Sequence, residues 1–145
     1  MFFASRPLRL RRLLVIEDDP LIAFDNERTL QHGGYQVVAT VDSGEAAVAI
    51  LASQTIDAIV LDLDLAGHMT GRDVARAARD RNIAVLLVTG RCPDDAADIA
   101  LASLDKPHSA AALIAALRAV EAMALRKKAP RKVSGLTTFW RPETA

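Results

Sequence analysis

The sequence predicts an α/β domain: a parallel sheet with helices on both faces. Short, wholly apolar runs alternate with longer stretches patterned for helices. Apolar runs of this kind are the mark of strands covered on both faces. Alternation of strand and helix then requires parallel neighbours joined by right-handed crossovers, which leaves few topologies.

The elements follow in order. Leu13-Leu14-Val15-Ile16 reads as the first strand. Asp19 is a good N-cap and Pro20 suits the first helical position. Ile22, Asn26 and Leu30 then recur at spacing four, with Ala23 widening the stripe. Gly33-Gly34 ends this helix, because glycine adopts the left-handed cap conformation at little cost. Tyr35 to Thr40 is β-branched enough for a second strand. Ser43 caps a helix from Gly44 to about Ser53 that buries Ala47, Ile50 and Leu51. Ala58 to Leu61 is a third strand, Gly71 to Asp80 a helix and Ala84 to Val88 a fourth strand. Pro93 to Leu101 holds one short helix, and Leu104 marks a brief fifth strand. Ser109 caps a last helix with Leu113, Leu117, Val120 and Ala124 on one face.

Composition bounds the rest. A chain of 145 residues, 51% apolar, supports one globular domain with a real core. Only 4% is aromatic, so aliphatic residues and alanine must build that core. A disordered chain, a collagen-like fibre and a disulfide scaffold are excluded. The single cysteine, Cys92, forms no intrachain disulfide and no zinc cluster. No apolar run reaches the roughly 18 residues of a membrane span. The start, with Arg6, Arg9, Arg11 and Arg12, lacks the apolar stretch of an export signal. A cytoplasmic protein is expected. The zero net charge hides a split. Residues 1–12 form a basic extension and residues 125–145 carry six Lys/Arg against Glu143 alone. The body, 13–124, has 8 basic against 17 acidic residues, which argues against a nucleic-acid surface there. Residues 125–145, with Pro130, Gly135 and Pro142, read as a basic, flexible tail rather than a second domain. Within it, Phe139-Trp140-Arg141 is the one stretch suited to stack on a base or dock in a groove.

The chemistry sits where the strands end. The first strand runs into Glu17-Asp18-Asp19, the third into Asp62 with Asp64 two residues on, the fourth into Thr89-Gly90, the fifth into Asp105-Lys106-Pro107. In open parallel sheets, ligands bind outside the carboxyl ends of the strands. Two like charges 4 Å apart repel by about 4 kcal/mol at an effective dielectric near 20. Lys106 alone does not balance that many carboxylates. A hard divalent cation with oxygen ligands does, and Mg2+ is the usual one beside phosphate. Cation, hydroxyl, ammonium and a free carboxylate together suit phosphoryl transfer onto an aspartate.

These pieces resemble the receiver domain of bacterial two-component response regulators. The resemblance rests on Leu14 to Pro20, Ile59 to Asp62, Val88-Thr89-Gly90 and Lys106-Pro107, in the same order and at similar spacing. It implies a flavodoxin-like fold: a doubly wound five-stranded parallel sheet in the order 2-1-3-4-5. It implies that Asp62 accepts phosphate from a sensor histidine kinase or a histidine phosphotransfer protein. Asp18 would bind Mg2+ directly, with Glu17 assisting, Asp62 ligating, and the backbone carbonyl of Asp64 as a further ligand. Thr89 and Lys106 would contact the phosphoryl group. Such a protein is not an enzyme in the ordinary sense, since its only catalysis is slow self-phosphorylation and dephosphorylation. With no DNA-binding domain following, its signal is expected to leave by protein contact or by phosphorelay to a downstream protein. A homodimer stays open, a membrane is not expected, and nucleic acid is disfavoured as a partner.

Some positions depart from the family pattern. Ser103 stands where an aromatic switch residue is common, three before the lysine. The segment from Thr89 to Lys106 is short, so the fourth helix should be stunted or irregular. The loop from Asp64 to Gly71 has Ala66 where proline is common and is one residue longer than usual. Asp19 is explained by N-capping alone. His32, His68 and His108 read as surface residues and Cys92 as a loop thiol. One alternative is a receiver-like binding module that is never phosphorylated. Another comes from Leu61-Asp62-Leu63-Asp64, which is similar to the Asp-x-Asp of haloacid-dehalogenase-type phosphatases. There the motif lies near the start, with further acids late in a longer chain. Here the acid pair precedes it and 83 residues follow.

Overall fold

A computed structural model describes residues 9–142. The basic extension therefore falls partly outside the described residues, Arg6 included, as does Glu143. The elements are β1 (Arg12–Ile16), α1 (Pro20–His32), β2 (Gln36–Val41), α2 (Gly44–Ser53), β3 (Ala58–Asp62), α3 (Gly71–Asp80), β4 (Ala84–Thr89), α4 (Ala96–Ile99), β5 (Ala102–Asp105), α5 (Ala110–Leu125) and β6 (Leu136–Thr138). The sheet order is β2-β1-β3-β4-β5-β6. The first five strands run parallel in the expected order, and β6 is antiparallel to β5.

The apolar runs are continuous because every central strand is buried on both faces. Leu13 and Val15 join one core with Val60, Leu86, Val88 and Leu104, under Leu30 of α1 and Leu113, Leu117 and Val120 of α5. Leu14 and Ile16 face the other way, with Ile59, Leu61, Val85 and Leu87, under Leu51 of α2 and Val74 and Ala78 of α3. The period-2 alternation of a strand thus splits one apolar run between two cores. At about 25 cal/mol per Å2 of apolar surface removed from water, these two layers supply the main drive to fold.

The helix ends follow the cap residues. Asp19 accepts hydrogen bonds from the amides of Leu21 and Ile22, and Pro20 opens α1. Ser43 and Ser109 cap α2 and α5. Thr70 and Asp73 form a reciprocal capping box on α3. Gly34, at φ +92°, turns the chain out of α1 as a side chain would not. The fourth helix is reduced to a four-residue turn, as its short segment predicts. Its start, Asp95, gives its carboxylate instead to a two-pronged bond with the Arg72 guanidinium, at 2.9 and 3.0 Å.

The tail reading is corrected for residues 136–140. Leu136, Thr137 and Thr138 pair with Leu104, Ser103 and Ala102. Gly135 accepts from the Asp105 amide at 2.8 Å, and the Phe139 amide donates to Leu101 at 2.9 Å. Phe139 packs on one core and Trp140 on the other, so the domain does not end at 124. The reason is physical: β5 would otherwise end the parallel sheet with a row of unpaired peptide groups, and β6 pairs with them. Buried Glu121 of α5 likewise accepts from the Leu10 amide at 2.7 Å and ties down the segment before β1.

Deleting residues 127–145 should therefore lower the unfolding free energy by about 2–4 kcal/mol, the burial of Leu136, Phe139 and Trp140 being lost together. Urea denaturation measures this. An unchanged midpoint would show that β6 contributes nothing to the body.

Candidate functional site

Parallel pairing of β1 with β3 builds the site. Ile16 stands opposite Leu61, so the next residues, Glu17 and Asp62, emerge side by side at the carboxyl edge. Both are almost fully buried, at 3% and 4% exposure. Asp18 is exposed beside them. Carboxylate oxygens of Glu17, Asp18 and Asp62 all lie within 4.8 Å of one another. Lys106 reaches in from the end of β5, with Nζ 2.9 Å from Glu17 Oε1 and 3.4 Å from Asp62 Oδ2. Its own position is set by its amide, which donates to the Thr89 carbonyl at 2.9 Å; the peptide bond to Pro107 is cis.

The remaining oxygens are also held. The Asp19 amide donates to Glu17 Oε2 at 3.1 Å, and the Asp64 amide to Asp62 Oδ1 at 3.0 Å. Asp64 thus reaches the site through its backbone, while its side chain is exposed. Thr89 is buried at the end of β4, and its hydroxyl donates to the Arg91 carbonyl at 3.2 Å rather than to a carboxylate. Glu17, Asp18, Asp62 and Lys106 therefore meet at one edge and Thr89 borders them, while Asp64 meets Asp62 through its amide and not through the carbonyl expected as a metal ligand. Ser103 is fully buried, and its hydroxyl has no hydrogen-bond partner among the described residues. His32 and His68 are exposed, and Cys92 is half-buried in the loop before α4.

Two supporting contacts were not read from sequence. Gly71 lets α3 start against the chain leaving β3: a Cβ there would lie 2.5 Å from the Leu63 carbonyl oxygen. Glu45 of α2 accepts from the Met69 amide at 3.3 Å and holds the far end of the same loop. The capping pattern Thr70-x-x-Asp73 is a sequence signal that marks where this loop ends and α3 begins.

Electrostatics decides what the site accepts. Three carboxylates and one ammonium sum to −2. Burial pushes the Glu17 carboxyl above its ordinary 4.5; the bond from Lys106 and that from the Asp19 amide oppose this, and neighbouring Asp62 adds to it. For Lys106 burial alone would depress the ammonium, but the bond to Glu17 and the field of Asp62 outweigh it and hold it above its ordinary value. The donor set is all oxygen and its charge is that of one divalent cation, so the residues fit Mg2+.

The sequence profile of the response regulator receiver domain matches residues 13–118. Among curated proteins, the chain is 31% identical over 134 residues to the response regulator MprA of Mycolicibacterium vanbaalenii, covering 86% of this chain and 54% of that one. It is 37% identical over 114 residues to the transcriptional regulatory protein AfsQ1 of Streptomyces coelicolor, covering 74% and 50%. The chain spans about half the length of these relatives. Among solved structures, a response regulator receiver protein from Sinorhizobium medicae superposes with a TM-score of 0.69 at 28% identity, over 81% of this chain and 99% of that one. A CheY-like receiver domain from Methanospirillum hungatei has a TM-score of 0.72 at 20% identity, over 82% and 99%, and shows the shared fold.

The raised Glu17 carboxyl gives a pH signature. A raised value contributes stability that is full below the unfolded value near 4.5 and is lost as pH climbs through the folded one. In chelator, this group should therefore erode stability towards neutral pH, and Mg2+ should restore it. The expected gain is about 2.7 kcal/mol at one hundred times Kd. Thermal melts with and without Mg2+ should separate more at neutral than at weakly acidic pH. Asp18→Asn should remove most of the separation, and Asp19→Asn should not.

Proposed function

Because the chain belongs to the response regulator receiver domain family, we propose that it is a phosphoacceptor in two-component signalling, with Asp62 taking the phosphoryl group. The observation that carries this reading is the convergence on Asp62 of Lys106, 3.4 Å away, and of the acid pair Glu17 and Asp18. A carboxylate oxygen of Asp62 attacks phosphorus as the phosphorus–nitrogen bond of a phosphohistidine breaks. The imidazole leaves with the bonding pair and takes its proton from solvent. An acyl phosphate remains on Asp62.

The chain's own groups have separate tasks. Lys106 neutralises charge that gathers on the phosphoryl oxygens, as preorganised cations do in phosphoryl transfer. The Asp64 amide holds one carboxylate oxygen and so fixes the direction of attack. Glu17, Asp18 and Asp62 would hold Mg2+, which supplies the further positive charge that a phosphoryl group among carboxylates needs. Thr89 exchanges its bond with the Arg91 carbonyl for one to a phosphoryl oxygen. The loop from Arg91 to Asp98 then loses one of its anchors, and Arg72–Asp95 keeps the other. With Ser103 buried where an aromatic is common, the response centres on this loop.

The donor is a sensor histidine kinase or a histidine phosphotransfer protein, and the signal leaves by protein contact or relay. The only catalysis is self-directed: gain and slow loss of the phosphoryl group. A phosphatase of the Asp-x-Asp type needs a second aspartate side chain aimed at the substrate, and here Asp64 is exposed and meets Asp62 through its amide.

With Mg2+ and a small acyl-phosphate donor, one acid-stable, base-labile phosphate should appear on Asp62, read by intact mass. Asp62→Asn should abolish it, and label persisting on a serine or threonine in that variant would overturn the assignment. Lys106→Ala should slow the gain roughly a hundredfold. Hydrogen exchange with beryllofluoride should change first across residues 91–98. A change confined to α5 would refute the loop-centred response.

A further inference from the structure

The opposite, amino edge of the sheet holds a cavity of about 730 Å3 that phosphoryl transfer does not use. It opens where α3 and α5 end and where the chain leaves β6. Three cations line it: Arg79 of α3, Lys127 just past α5, and Arg141 just past β6. None of the three makes an ion pair or a side-chain hydrogen bond among the described residues, whereas Arg72, Arg76 and Lys106 are paired. Its aromatic wall is Phe139 and Trp140, which alternate to the two cores and remain half-buried. Asn82, at φ 60° in the turn after α3, also lines the cavity.

Each component limits the ligand. Converging cations without partners repel one another, and an anion relieves this. A simple carboxylate or phosphate leaves the aromatic wall idle, and an apolar ligand leaves the cations unpaired. A planar ring joined to a phosphate uses both, since aromatic side chains stack on any base and arginine forks match phosphate oxygens. A volume within the roughly 300–1,000 Å3 of small-ligand sites admits such a molecule.

We propose that this cavity binds a nucleoside phosphate, with the base against Trp140 beside Asn82 and the phosphate held by Arg79, Lys127 and Arg141. The same chemistry comes from a free nucleotide or from a nucleotide unit of a single strand.

Trp140 is the only tryptophan in the chain, so its fluorescence reports on the cavity directly. The full chain, in chelator to keep the acidic edge out of play, is titrated with ADP, adenosine, inorganic phosphate and a single-stranded oligoadenylate. ADP should quench saturably, with adenosine and phosphate each binding at least about tenfold more weakly. The double variant Arg79→Gln, Arg141→Gln changes exposed residues only. It should weaken ADP about tenfold or more while leaving the thermal midpoint in place. Tighter binding of oligoadenylate than of ADP identifies a nucleic-acid strand as the source, and the reverse order identifies free nucleotide. No saturable response to ADP or oligoadenylate, phosphate as tight as ADP, or full affinity in the double variant would each overturn the proposal.

Discussion

Three carboxylates and one ammonium share the carboxyl edge, and the sheet order is what brings them together there. Glu17 and Asp62 are neighbours because β1 and β3 are neighbours. Lys106 comes from β5, across the intervening β4, to touch both. The ammonium reaches them only if β4 and β5 keep their register, which the amide of Lys106 on the Thr89 carbonyl enforces. A buried charge cluster of this kind contributes little net stability, because desolvation offsets attraction. Its residues are held by cores that lie on either side of the sheet, and the site spends stability that those cores supply.

The β5 edge and the short α4 are secured by separate contacts. On the far side of β5 from β4, the chain returns after α5 and pairs β6 with the open edge. The loop before α4 is held not by helix packing but by the two-pronged Arg72–Asp95 bond, on side chains about 40% exposed. Exposed ion pairs of this type contribute under about 1 kcal/mol, so that loop is tethered rather than clamped. The segment next to Thr89 is therefore the part of the site edge with the least to lose by moving.

How far the sequence could be read depended on how local each signal was. Strands buried on both faces, with Leu14 and Ile16 on one side and Leu13 and Val15 on the other, announce themselves as continuous apolar runs. Asp19, Ser43 and Ser109 mark helix starts because a cap needs only its own next three residues. Glu17, Asp18, Asp62 and Lys106 were legible because all close strands, and parallel strands share one edge. What escaped was long-range. Nothing near Arg72 shows that Asp95 will stand opposite it, and nothing near Glu121 shows that it will receive the Leu10 amide. The stretch Leu136-Thr137-Thr138-Phe139-Trp140 has strong strand propensity, but the basic residues, Pro130 and Pro142 around it outweighed that signal. Whether it pairs depended on an uncovered β5, a fact about the other side of the molecule.

The two edges of the sheet differ in net charge: Glu17, Asp18, Asp62, Asp64 and Asp105 against Arg91 and Lys106 at one, Arg12, Arg79, Lys127 and Arg141 against Asp57 and Asp80 at the other. A neutral molecule so divided is an electric dipole lying along its strands. In the field of a charged partner it experiences a torque before it experiences contact. The acidic edge swings towards a cationic surface, and so Asp62 is presented to a positively charged partner more often than random tumbling would allow. The orientation costs the protein no contact residue and acts over about a Debye length, roughly 8 Å at physiological salt. The same rotation points the basic end away, so an anionic molecule approaching from behind meets a surface already turned to receive it.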